Sequence, residues 1–258
     1  KFKDVQLSHF DDVESMRAYI SQQIHDFHAL MGRGVIAHFD SESYGRHIWF
    51  SRMGEGSLGG KARGLAFLNS LVYKHKLADK YENVKISIPR TVVIATDYFD
   101  QFILENDLQY VIDSDVSDEE ILSEFVAARL PEKLVEQLRV YVNIARSPFA
   151  VRSSSKLEDS SYQPFAGVYS TYMIPLVENR DQMLRMLGKA IKSVYASVFY
   201  GGSRTYIQTT GNLLSEEKMA VVVQSICGSK HDGLYYPMIS GVARSVNFYP
   251  IGNEKPED

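Results

Sequence analysis

The sequence predicts a chain of the α+β class, and three segments predict it. Met219 to Gln224 is a short apolar run with three consecutive valines, the pattern of a strand buried on both faces. Met183 to Phe199 repeats Met186, Leu187, Ala190, Ile191 and Val194 at helical spacing, so a long helix turns a methionine and aliphatic stripe to the core. Gly54 to Lys61 is a glycine-rich loop that runs straight into Leu65, Leu68, Leu71 and Val72, again at helical spacing.

The other elements follow from local punctuation. Asp11-Asp12 opens an amphipathic helix from Val13 to about Leu30, with Ile20, Ile24 and Phe27 on one face that the core is expected to cover. His25 and His28 lie one turn apart on it among polar residues and, with His38, read as solvated rather than as metal ligands. Ile36, Phe39, Ile48 and Trp49 suggest a strand near the glycine-rich loop. Val84 to Ala95 reads as a strand around Pro89, and Tyr98 to Leu104 as a helix. Asp118 to Ala128 is a helix entered through Ser117, with Glu120 completing a capping box. Leu134 to Ala145 leads as a helix into the strand that carries Arg152, and Gly228 to Pro237 has the composition of a hairpin tip or loop.

Composition bounds the function. With 258 residues, 45% of them hydrophobic, the chain can bury a substantial core. A net charge of -4 and a pI near 6.0 argue against a nucleic-acid partner. No apolar run reaches membrane-spanning length, and the single Cys227 excludes an intramolecular disulfide, so the expected compartment is the cytoplasm.

Two motifs carry chemistry. Arg152 offers a planar fork matched to phosphate oxygens, Ser153 to Ser155 offer hydroxyls and N–H groups, and Gly167 permits close backbone approach. Alone, this string is more often a solvated turn. The glycine-rich loop would expose N–H groups and a helix N-terminus to an anion, with Lys61 as a mobile charge, although Ala62 replaces the hydroxyl residue of a Walker A loop. Alone, it is better read as a flexible linker before a helix.

Together and in this order, the motifs resemble the nucleotide-binding domain of the phosphoenolpyruvate synthase and pyruvate phosphate dikinase family. Gly59 to Ala62 match its Gly-Gly-Lys-Ala segment, and Ala150 to Gly167 its Ala-Val-Arg-Ser-Ser segment with the following Glu-Asp and Phe-Ala-Gly. Ser193 to Phe199 with Arg204 resemble its Trp-Ala-Ser-Leu-Phe helix and arginine, and Ala220 to Gln224 and Ser240 to Val242 its Val-Val-Val-Gln strand and Ser-Gly-Val turn. The resemblance spans roughly residues 50 to 250. It implies an ATP-grasp-like fold and an ATP-dependent phosphotransferase whose phosphoryl group ends on a histidine of a carrier domain outside these residues. It further implies Lys61 and Arg152 on the phosphates as the catalytic pair, Gly167 and Thr171 on the covering loop, and Gln224 with the backbone near Ile226 at the adenine.

The chain departs from the family at Pro89-Arg90-Thr91, at Arg244, and in the insertion from Gly228 to Pro237. The acidic residues that hold Mg2+ in the family would come after residue 258, so no metal ligand is assigned and the domain is expected to be C-terminally incomplete and inactive by itself. The expected organisation is a 1–45 extension and a 46–258 nucleotide-binding domain. The alternative function is a non-catalytic adenine-nucleotide sensor.

Overall fold

The computed structural model describes residues 10–31, 36–41, 48–77, 80–155, 169–209, 217–242 and 246. The chain divides into a unit ending at Ser225 and a second beginning at Ile226.

The first unit is built on a six-stranded mixed sheet. In chain order its elements are α1 (Val13–Met31), β1 (Ala37–His38), β2 (Phe50–Met53), α2 (Gly59–Lys74), β3 (Thr91–Ile94), α3 (Thr96–Glu105), α4 (Gln109–Asp113), α5 (Asp118–Ala127), α6 (Glu132–Ile144), β4 (Phe149–Ser155), β5 (Thr171–Ile174), α7 (Arg180–Ala196), α8 (Gly201–Thr209) and β6 (Met219–Ser225). The strand order is β1-β2-β3-β6-β4-β5. The first three strands run parallel, whereas β6 is antiparallel to both β3 and β4, and β4 to β5. The sheet is thus mixed, as an α+β chain predicts.

Helices cover both faces, which is why β6 has no polar side until its end. On one face α2 closes over Phe50, Val93, Ala220 and Val222. On the other, α3, α5, α6 and α7 enclose a larger core in which Phe99, Phe102, Phe125, Tyr195 and Phe199 pack ring against ring at 5.0 to 6.2 Å. Such pairs add about 0.5–1.5 kcal/mol each beyond the area they bury.

Local chemistry sets the element ends. Ser117 caps α5 through a complete capping box with Glu120, and Asn179 caps α7 by accepting from the Gln182 N–H at 2.9 Å. The predicted strand around Pro89 is shorter than its apolar pattern. β3 starts at Thr91, whose N–H donates to Trp49 O at 2.9 Å, a bond that proline cannot make. The predicted helix over Met183 to Phe199 starts earlier, at its Asn179 cap, and tightens into a 3₁₀ turn at Ser197–Phe199.

Among the described residues the N-terminal segment joins the sheet through β1, with Ile36 and Phe39 packed against the two cores. Ile20 and Ile24 of α1 are 38% and 45% exposed, so the core does not cover them as expected. The Phe27, His25 and His28 side chains lie outside the described residues. No described helix is long and apolar enough to cross a membrane.

The second unit contains the antiparallel hairpin β7 (Ser229–His231) and β8 (Leu234–Tyr236), turned at Asp232-Gly233 with φ of 47° and 87°. This is the hairpin expected of the insertion.

Candidate functional site: a basic sheet face under a helix N-terminus

Strand register decides which candidate residues meet. Paired residues share a face and alternate residues return to it. Val222 lies under α2, Arg152 pairs with Val222, and Thr171 pairs with Arg152. Gln224, two residues beyond Val222, returns to the same face opposite Thr91. Three residues assigned from separate motifs therefore share one sheet face. Toward β5 that face is open, with Thr171 exposed and Met173 63% exposed.

Lys61 reaches the same strand from above. It lies in the first turn of α2, and its Nζ donates to Ser153 Oγ at 3.1 Å. The helix end is stitched to β4 by Ser154, whose Oγ accepts from the Ala62 N–H at 3.0 Å and donates to Leu58 O at 2.8 Å. Gly59 makes the approach possible. Its φ is +75°, and a Cβ there would lie 1.8 Å from Ser154 O. Ser153, Ser154 and Ser155 are fully buried, so the serine run serves the fold instead of presenting hydroxyls to a ligand as its sequence suggested.

The glycine-rich loop also differs from expectation. Asp97, in the first turn of α3, accepts from Glu55 N–H at 2.8 Å through Oδ2 and from Gly56 N–H at 3.1 Å through Oδ1. Ser57 N–H donates to Thr96 Oγ1 at 2.9 Å, and Thr96 N–H donates back to Ser57 O at 3.0 Å. These loop amides are satisfied by protein and are not offered to an anion. What α2 brings to β4 is its positive helix end and Lys61. Asp97 and Thr96 escaped sequence reasoning because an acidic residue in a first helical turn has an ordinary explanation; their one signal was their place directly after a buried strand.

The remaining assignments divide cleanly. Gln224 is 9% exposed and its Nε2 donates to Thr91 Oγ1 at 3.1 Å. Gly167 lies outside the described residues. Ile226 begins the second unit, where its carbonyl accepts from the Tyr235 hydroxyl at 3.4 Å. Arg204 spends its guanidinium on three carbonyls, those of Phe199, Ser114 and Ile112, which makes it a clamp within the helical layer. Among the described residues no group of three or more His, Cys, Asp or Glu side chains could hold a metal ion.

A planar guanidinium on β4, a flexible ammonium bonded to the next residue of that strand and a helix N-terminus beside it are groups suited to a polyphosphate. Comparison with known proteins gives that arrangement a family. The model for the pyruvate phosphate dikinase AMP/ATP-binding domain matches residues 55–257. The uncharacterized phosphotransferase YvkC of Bacillus subtilis (strain 168) is 28% identical over 154 residues, which is 58% of this chain and 17% of that relative. The match spans less than a fifth of the relative's length.

Proposed function

Because this chain belongs to the pyruvate phosphate dikinase AMP/ATP-binding domain family, we propose that it is the ATP-binding portion of a phosphotransferase which passes a phosphoryl group from ATP to a histidine on a carrier domain outside these residues. The observation that carries the reading is the Lys61–Ser153 contact at 3.1 Å, because it ties the loop lysine to β4, the strand that carries Arg152.

In this reading Lys61 and Arg152 hold the phosphates and act as the catalytic pair, Arg152 as a fixed fork and Lys61 as the charge that follows the moving group. Thr171, with Gly167, borders the covering loop, and Gln224 and the Ile226 backbone meet the adenine. Mg2+ neutralises charge on the transferred group in such chemistry. The compartment consistent with ATP as substrate is the cytoplasm.

Calorimetric titration with ATP tests the reading. The expected dissociation constant is weaker than about 1 μM yet measurable, and weaker again in Lys61→Ala and Arg152→Lys. Absence of binding at millimolar ATP refutes it.

A further inference from the structure

Away from α2, a recess of about 390 Å³ opens between α3, α4 and the two residues that lead into β6. Small-molecule sites have volumes of this order. Its floor is apolar. Phe99, Ile112 and Phe199 are buried members of the larger core, Ile103 packs against that core, and Leu104, 77% exposed, stands at the rim. The rim is also charged. Asp100 pairs with Lys218 at 2.5 Å, both side chains about half exposed. Asp107 lines the same recess, and among the described residues no cation pairs with it. Glu217 is buried in the wall, where it accepts from the Tyr169 hydroxyl at 3.5 Å, so its carboxylate is engaged within the protein. Without Glu217, one ammonium still faces two carboxylates, which leaves the rim one negative charge in excess.

We propose that this recess binds a small amphipathic amine, with its hydrocarbon body on Phe99, Ile103 and Phe199 and its ammonium on Asp107 and on the Asp100 carboxylate that Lys218 now shares. The charge balance selects the occupant. An anion would meet two carboxylates and find the one ammonium already paired, whereas a monocation neutralises the excess and donates to both aspartates. A neutral hydrocarbon would gain the floor and leave Asp107 uncompensated. Lys61, Arg152 and Gln224 do not line the recess, so the amine site stands or falls apart from the nucleotide reading.

The test is calorimetric titration of the full chain with phenethylamine and with 3-phenylpropionate, which carries the same phenethyl group on a carboxylate. Phenethylamine is expected to bind saturably with a dissociation constant of about 1 mM or tighter, within reach of so small a ligand, and 3-phenylpropionate at least about tenfold more weakly. Asp107→Asn should weaken the amine at least about threefold. Lys218→Gln should tighten it about twofold to fivefold, because it removes the ammonium that competes for Asp100. A merely structural ion pair would instead lower the melting temperature in Lys218→Gln without tightening anything. Amide shifts on adding phenethylamine should centre on residues 99–112 and 217–218. Both substitutions fall on exposed side chains, and the preference of wild type for amine over carboxylate tests the proposal without either. No saturable amine binding up to about 10 mM, equal binding of 3-phenylpropionate, unchanged affinity in either variant, or shifts centred elsewhere overturns it. A sedimentation coefficient that rises with protein concentration in wild type and not in Leu104→Glu would show a second copy seated on the recess, which also overturns it.

Discussion

Asp97 and Gly54 define each other's place. A Cβ on Gly54, whose φ is +89°, would stand 2.4 Å from Asp97 Oδ1, and the same carboxylate gathers the next two amides, of Glu55 and Gly56. The loop is folded around a carboxylate of its own chain, so it needs no ligand to take shape. Asp97→Ala should cost about 1–3 kcal/mol, the range for stranded donors that had bonded a charged group. Amide hydrogen exchange should accelerate at residues 55 and 56 first. Unchanged protection of both amides would show that another group holds the loop.

The α2–β4 stitch should tolerate even less. In Gly59→Ala a methyl group must occupy the space of Ser154 O, and positive φ adds strain of order 1–3 kcal/mol. Ser154→Ala leaves the Ala62 N–H and Leu58 C=O without their buried partner, at about 1–3 kcal/mol. Both variants should lower the melting temperature, and Gly59→Ala should also lose nucleotide binding because it moves Lys61. Full ATP affinity in folded Gly59→Ala would separate the helix end from the phosphates.

Within the clamp the two cations should fail differently. Arg152→Lys keeps charge but loses the fork, at about 1.5–3 kcal/mol of binding. Lys61→Ala should act more on phosphoryl transfer by the complete phosphotransferase than on binding, if its charge follows the moving group. Equal small effects on ATP-dependent labelling would contradict both roles.

Acid should undo the α5 cap. The Ser117 N–H and then its hydroxyl hold the Glu120 carboxyl below its ordinary value of 4.5. A folded-state pKa below the unfolded one means that the stabilisation is complete well above pH 4.5 and fades as pH falls below it. Glu120→Gln removes the titrating group and should flatten stability against pH in that window, which acid titration monitored by circular dichroism would read. An unaltered slope would remove the box from the acid response.

The fold was legible wherever one residue type has one local meaning. Ser117 and Glu120 predicted their cap, and the Val221 to Val223 run predicted a strand buried on both faces. Of the candidate site, the sequence motifs singled out Lys61 and Arg152, which the fold places on α2 and β4. Its neutral scaffold was not. Ser154, Thr96 and Thr91 act through partners 96, 39 and 133 residues away, and no local pattern encodes such pairings. Loop amides that sequence offers to an anion go instead to Asp97, because a side chain already in place supplies acceptors at no cost in ligand ordering.

β6 lies between β3 and β4 although it follows both in the chain. During synthesis, β1 to β3 and β4 to β5 emerge as two partial sheets, each ending in a row of unpaired N–H and C=O groups. Neither can complete its hydrogen bonding before residue 225 has left the ribosome, since β6 joins them along seven positions of β4 and four of β3. A nascent chain stopped short of Met219 carries two sticky edges and half a core, the substrate of chaperones and of aggregation. The last described strand of the sheet is its keystone, and the first unit forms only after most of its polypeptide has waited unfinished.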